Sequence, residues 1–334
     1  MGAINSSERF CGFVQVLLIS VAGSLAQADT ASYGDHPEAR ALITEMVTEQ
    51  GFERDTLEAL FAGAQRKDSI LEAIARPAEK TKPWHEYRKI FVTEDRTQQG
   101  VDFVRRYGDS LQRAERLYGV PREMIAAIIG VETRYGRHTG RYRVIDALST
   151  LAFDYPPRAD FFREQLRAYL LMTREQSLAA DELKGSYAGA MGYGQFIPSS
   201  YRAYAVDFDG DGVVDIIDNP VDAIGSVANY FKQHQWRAGL PVAARATVTE
   251  DYRADWANDG LKPRRSLAEL AEGGIRSAQA MAPGTLATLM AFEGESGPEY
   301  WLGWHNFYVI TRYNHSAMYA MSVYQLSEAI GERL

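Results

Sequence analysis

Residues 128–136 read Ile-Ile-Gly-Val-Glu-Thr-Arg-Tyr-Gly, and they close a stretch in which Ile125, Ile128, Ile129 and Glu132 fall at i, i+3, i+4 and i+7. That spacing puts all four on one helical face, so a carboxyl group ends an otherwise apolar stripe. Pro121 suits the first turn of such a helix, and Gly136 is a stop for it. Glu132 then lies near the C-terminal end of a buried helix, where desolvation and the negative end of the helix dipole both disfavour a carboxylate. A carboxylic acid still protonated near neutral pH is what general-acid chemistry requires. An ion pair with Arg134 or Arg137 explains the same residue without any chemistry, and the helix pattern alone favours that reading.

The chain has 334 residues, 46% of them hydrophobic, enough to bury a sizeable core in one large domain or a few smaller ones. Its N-terminus carries Arg9, a mostly apolar run from Phe10 to Leu25 and then Ala26-Gln27-Ala28 before Asp29, the layout of a secretory signal cleaved after Ala28. The run is short for a bilayer span and is broken by Gln15, Ser20, Gly23 and Ser24. Glu8 offsets Arg9, which leaves an uncleaved anchor as the alternative. The single cysteine, Cys11, opens the run where a lipid-bearing cysteine would follow its small and apolar residues. A cleaved chain therefore has no disulfide, and its stability must come from its core or from a metal. The formal net charge of −8 tells against a nucleic-acid partner or an anionic membrane surface.

From about Pro37 to Leu117 the pattern is helical, with Leu57, Leu60, Phe61 and Ala64 following Asp55. Helices continue from Pro121 to about Trp236, now separated by loops rich in glycine and aspartate. Between Gly239 and Trp304 the texture changes to a loose alternation, with Val242, Ala244, Ala246 and Val248 in one run and Leu286 to Phe292 in another. A helix returns from His315 to Ile330. The expectation is a mainly α protein with a small β-containing insertion.

The most specific local motif is Asp207-Phe-Asp209-Gly-Asp211-Gly212-Val213-Val214-Asp215-Ile-Ile-Asp218. Positions 1, 3, 5, 9 and 12 are acidic, the sixth is glycine and Val213 offers a carbonyl, which is the pattern of an EF-hand calcium loop. The predicted ligands are Asp207, Asp209, Asp211, Val213, Asp215 and Asp218. Aspartate at the twelfth position replaces the usual glutamate and shortens the reach for bidentate binding. One such loop on a secreted protein argues for a structural ion. Just upstream, residues 185–196 place four glycines among Ser186, Tyr187, Tyr193, Gln195 and Phe196. Glycines allow close backbone approach, aromatics offer flat faces and an amide offers both a donor and an acceptor, a combination that suits a sugar. A tightly packed helix junction fits the same residues equally well. The six histidines show no metal-ligand spacing.

Taken together, Ile-Ile-Gly-Val-Glu132-Thr-Arg-Tyr-Gly, Gly-Ala-Met-Gly-Tyr-Gly-Gln195-Phe and the Asp207 loop resemble the membrane-bound lytic murein transglycosylase B family, glycoside hydrolase family 103. The resemblance runs from about Pro37 to the C-terminus. After the signal segment read over 1–28, it implies an N-terminal helical domain over 29–118. A lysozyme-like core with the EF-hand loop at 207–218 would then occupy 119–239 plus 305–334, and the small β-containing insertion 240–304. It implies cleavage of the β-1,4 bond between N-acetylmuramic acid and N-acetylglucosamine of peptidoglycan, leaving 1,6-anhydromuramyl ends. Glu132 would be the sole acid and base, because the substrate's own N-acetyl group replaces a second carboxylate. Ser186 and Asn314 would orient Glu132 or the intermediate, and Gln195 would contact substrate. Tyr87, Tyr193, Phe196, Tyr230, Tyr313 and Tyr319 would line the groove. Pro157-Arg158 stands where two consecutive basic residues are expected to meet the peptide stem, so that contact is weakened or shifted, with Arg158 as its one remaining basic residue. Family members with a lipid-bearing N-terminus differ from this chain, which argues for a soluble periplasmic form. The expected cofactor is the structural calcium ion of the Asp207 loop with no organic cofactor, and the expected partners are peptidoglycan strands and, as a candidate, the cell-wall synthesis machinery.

Overall fold

A computed structural model describes residues 32–75 and 82–334; the signal segment 1–28 lies outside them. The described chain is mainly helical. Helices α1 (Pro37–Gln50), α2 (Arg54–Gly63) and α3 (Asp68–Ile74) come first, followed by α4 (Trp84–Phe91), α5 (Glu94–Arg106), α6 (Gly108–Tyr118) and α7 (Arg122–Thr133). Strand β1 (Tyr142–Arg143), α8 (Val144–Asp154), α9 (Ala159–Glu175), β2 (Lys184–Gly185), α10 (Pro198–Tyr204) and α11 (Pro220–Gln233) lead to the β-rich stretch. That stretch holds β3 (Ala243–Val248), β4 (Arg265–Ser266), α12 (Leu267–Glu272), β5 (Ile275–Ser277), β6 (Leu286–Gly294) and β7 (Gly297–Gly303), and α13 (His305–Tyr313) and α14 (Ala317–Gly331) end the chain. Among the described residues no helix is long and apolar enough to cross a membrane.

Contacts divide the described residues into two compact units. The first takes in 82–135 and 227–334 and is built around α7, whose residues from Met124 to Val131 are all buried. Pro121 caps its start, and α5, α6 and α14 pack around it. Such a helix is hydrophobic nearly all round because it has a neighbour on nearly every side. Its far end is locked by Tyr135, whose hydroxyl donates to the Arg96 carbonyl at 3.0 Å. The Tyr135 ring needs two glycines: a Cβ on Gly100 of α5 or on Gly130 of α7 would come within 2.5 Å of its hydroxyl. The α14 helix is started by Ser316, whose hydroxyl accepts from the Tyr319 amide at 3.2 Å.

The same unit holds a five-stranded antiparallel sheet in the order β4-β6-β7-β3-β5. The two alternating runs seen in the sequence are its β3 and β6, and Glu295-Ser296 turns β6 into β7, so that Gly294 faces Gly297. Leu270, Ile275, Ala287, Leu289, Leu302 and Trp304 form its small core. Trp84 of α4 packs on Phe292 of β6 with ring centroids 5.0 Å apart.

The second unit takes in 32–75 and 136–226. Its centre is α8, buried from Val144 to Ala152 and packed against α9, α3 and α1. Within α8 the carboxylate of Asp146 is buried and accepts from the Gln65 amide at 2.9 Å, an anchor for the loop before α3. A two-residue ladder pairs Tyr142 with Gly185 and Arg143 with Lys184, which fixes the start of the glycine-rich segment.

Candidate active site and metal loop

In the first unit α7 ends at Thr133, and Arg134 and Tyr135 both take left-handed backbone conformations, at φ 53° and 59°. The chain thus leaves the helix just before the expected stop at Gly136. Two successive non-glycine residues in this region mark a strained turn, and strain of this kind gathers at functional sites. The turn leaves Glu132 at the last turn of α7 with its side chain aimed at α14. There the Tyr319 hydroxyl donates a short hydrogen bond to Glu132 Oε1. Burial pushes the Glu132 carboxyl up to about 8, and the Tyr319 hydrogen bond pulls the other way. Glu132 as a whole is only partly buried, although its carboxyl is desolvated. Arg134 does not neutralise it. Its guanidinium pairs with Asp95, and its Nε donates to Gln99 at 3.0 Å.

The first unit also carries Tyr313, Tyr230, Asn314 and Tyr87, with Tyr313 and Tyr319 beside Glu132. Burial and the nearby Glu132 hold the hydroxyls of Tyr313 and Tyr319 well above their ordinary value, so both remain neutral donors. Tyr313 ends α13 and packs edge-on to Tyr230 of α11 with centroids 4.7 Å apart. The Tyr230 hydroxyl donates to the Arg312 carbonyl, which ties α11 to the end of α13. Asn314 follows α13 and is 4% exposed, and its Oδ1 is buried with no hydrogen-bond partner. Tyr87 has no exposed surface; it packs against Phe91 at 5.3 Å and neighbours Tyr319.

The second unit carries the remaining predicted residues. Gln195 adopts φ 51°, again left-handed, and its Nε2 donates to the Thr139 and Gly192 carbonyls at 3.0 Å each. Its Oε1 is buried without a partner. A buried acceptor left unpaired costs about 1–3 kcal/mol. Gln195 in the second unit and Asn314 in the first each hold one such acceptor. Ser186 is 3% exposed, and its hydroxyl oxygen accepts from the amides of Ala188 at 3.3 Å and Ala190 at 3.1 Å. Two accepted bonds leave its proton to be donated. The Tyr193 ring lies on the backbone of Gly136, where a Cβ would be 2.1 Å away. Phe196 and Met191 exchange backbone hydrogen bonds at 2.9 and 3.0 Å, which closes the turn between them. The Arg158 guanidinium stacks on Phe161 at 4.3 Å and on Phe162 at 5.1 Å.

The Asp207 loop follows in the same unit. Carboxylate oxygens of Asp207, Asp209 and Asp211 lie within 4.8 Å of one another. The loop is held open by its own amides: Gly210 and Gly212 donate to Asp207 at 2.7 and 2.8 Å, and Val213 donates to Asp211 at 2.8 Å. The Gly212 amide leads the amides that hold the Asp207 carboxyl below its usual range. Three clustered carboxylates in a loop of this spacing are a hard-oxygen donor set that fits calcium. Asp215 is occupied differently, its Oδ1 accepting from Ile217 and Asp218 at 2.8 and 2.9 Å. Asp218 is exposed and stands outside the three-carboxylate group.

A family model described as the transglycosylase SLT domain matches residues 34–328. Membrane-bound lytic murein transglycosylase B of Escherichia coli (strain K12) is 47% identical over 307 residues, covering 89% of this chain and 84% of its own. The chain belongs to the lytic transglycosylase family. Among solved structures, the soluble lytic transglycosylase SltB1 from Pseudomonas aeruginosa is 54% identical. It superposes with a TM-score of 0.85, covering 89% of this chain and 99% of that one. The Escherichia coli lytic transglycosylase Slt35 in complex with calcium is 46% identical with a TM-score of 0.82, covering 90% and 94%.

This lytic transglycosylase has one residue of consequence that the sequence reading passed over. Asp222, fully buried in the first turn of α11, accepts from the amides of Phe208 at 2.7 Å, Asp209 at 3.3 Å and Asp215 at 2.8 Å. It gathers both arms of the metal loop onto one carboxylate. Burial raises its pKa, and the Asp215, Phe208 and Asp209 amides oppose the rise. An acid in a helix's first turn ordinarily complements the dipole, so its sequence position gave no sign of this use.

Proposed function

We propose that this enzyme cleaves the β-1,4 bond between N-acetylmuramic acid and N-acetylglucosamine in peptidoglycan, with Glu132 acting as acid and then as base. The observation that carries the assignment is one carboxyl, enclosed at the end of α7 and raised to about 8. It is protonated at neutral pH and needs no second carboxylate to keep it so. Tyr319 donates to Oε1, which leaves Oε2 to carry the transferable proton. In the first step Oε2 gives that proton to the glycosidic oxygen as the bond to muramyl C1 breaks, and the muramyl acetamido oxygen covers C1. In the second, the Glu132 carboxylate takes the proton of the muramyl C6 hydroxyl as its oxygen attacks C1. The 1,6-anhydro ring closes, the acetamido group is released and Glu132 is protonated again. A pKa near 8 serves both steps, since a group that must give and then take a proton works best near the operating pH. An ordinary glycosidase would require a paired carboxylate.

The orphaned acceptors of Gln195 and Asn314 support roles as partners for sugar hydroxyl or amide protons, and Ser186 is assigned as a donor. Tyr193, Phe196, Tyr230, Tyr313 and Tyr319 supply the aromatic lining, with Tyr87 behind Tyr319. Arg158 is the peptide-stem contact, with its guanidinium already stacked on Phe161. Asp207, Asp209 and Asp211 would hold a calcium ion, with the Val213 carbonyl, Asp215 and Asp218 reaching it only if the second half of the loop gives up its own amide contacts; the ion would supply charge balance to the loop and take no part in the reaction. Cleavage after Ala28 places the enzyme in the periplasm beside its substrate.

Digestion of purified sacculi followed by mass spectrometry tests the reading. Wild type is expected to release muropeptides one water lighter than hydrolysis products, and Glu132→Gln to release essentially none while still binding glycan strands. Reducing-end products from wild type, or substantial turnover by Glu132→Gln, would overturn it.

A further inference from the structure

The metal loop and the glycine-rich segment meet at Ile216. This residue is 1% exposed, and its carbonyl accepts from the Tyr193 amide at 3.1 Å. Gly192 lies against the same carbonyl: it adopts φ 69°, and a Cβ there would stand 2.1 Å from the Ile216 oxygen. Only glycine combines that backbone conformation with that approach. On the loop side, Ile216 is flanked by Asp215, whose amide is held by Asp222 and whose carboxylate caps Ile217 and Asp218. On the other side, the Gly192 carbonyl accepts from both the backbone and the side-chain amide of Gln195, at 3.2 and 3.0 Å. A short path of backbone contacts therefore joins the acidic loop to Gln195, the residue with a left-handed backbone and an unpaired buried acceptor.

We propose that Ile216 is a positioning residue, through which order in the Asp207 loop sets the Gly192–Gln195 turn and thereby the affinity for sugar. The inference rests on the calcium and Gln195 assignments made above. Without an ion the three carboxylates repel one another, the loop loosens, and the Ile216 carbonyl no longer fixes the Tyr193 amide. Substrate binding then weakens while the Glu132 chemistry is untouched, which gives a rise in KM with little change in kcat. The ion's role extends from stability to recognition.

Amide hydrogen exchange on the full-length Glu132→Gln protein, titrated with calcium alone, reads the coupling directly. Peptides covering 207–218 and 191–197 are expected to gain protection with one midpoint. Calorimetry with a chitohexaose probe is expected to show binding about tenfold tighter in calcium than in chelator. Gly192→Ala is expected to remove that difference while the loop still takes up calcium. Failure to take up calcium would refute the metal assignment itself. Calcium uptake that protects 207–218 and leaves 191–197 unchanged would refute the coupling alone. Coupled protection without any change in chitohexaose affinity would refute the role of the turn in sugar binding.

Discussion

Glu132 is a carboxyl whose proton is held by enclosure, so its pH behaviour has a definite sign. A pKa raised on folding means that the native state binds the proton more tightly than the unfolded chain does. The stabilising contribution is intact below the ordinary value of 4.5 and is lost as pH rises through about 8. Glu132→Gln removes that loss. The variant should melt about 3–6 °C above wild type at pH 9, with the gap closing towards pH 5; parallel melting curves would show that the carboxyl is not raised. Tyr319→Phe deletes the one hydrogen bond that lowers the Glu132 pKa. The limb of the pH–rate profile governed by Glu132 should move to higher pH, and turnover should fall about 10- to 100-fold as the carboxyl loses its orientation. An unchanged profile would remove Tyr319 from the site. The carboxyl's place on an apolar stripe was legible from spacing alone. Its hydroxyl partner was not, because Tyr319 lies on a helix far along the chain and only packing brings it near.

At the scale of elements, α7 depends on a tyrosine lodged between two glycines. Gly130→Ala would set a methyl group against the Tyr135 hydroxyl, where the distance would be 2.5 Å. Overpacking of this kind costs about 1–3 kcal/mol, and it should appear as a lower denaturant midpoint together with reduced activity, since Tyr135 anchors the turn after Glu132. A neutral substitution would mean that Tyr135 has room to shift. The sequence showed where α7 begins and which face it buries, but placed its stop at Gly136. The fit of Tyr135 against Gly100 involves a helix that no local pattern can report. The same division holds for the sheet. Alternation revealed β3 and β6, whereas the order β4-β6-β7-β3-β5 arises from pairings between distant residues. The EF-hand spacing was legible at once because its acidic positions fall within twelve consecutive residues, 207–218. Asp222 was not, because its work is done on amides well before it in the chain.

For the molecule as a whole, a chain with a single cysteine can form no internal disulfide, so it relies on its cores and on the Asp207 loop. Calcium at about a hundredfold excess over its dissociation constant should add roughly 2.7 kcal/mol, or about 5 °C in Tm; equal melting with and without chelator would contradict an ion held by the native loop. The central claim is that one carboxyl carries a glycosidic cleavage in which water takes no part. The most direct test digests sacculi in heavy-oxygen water and weighs the first-formed products. The account predicts anhydromuramyl ends free of label. One heavy oxygen at each new muramyl C1 would contradict it.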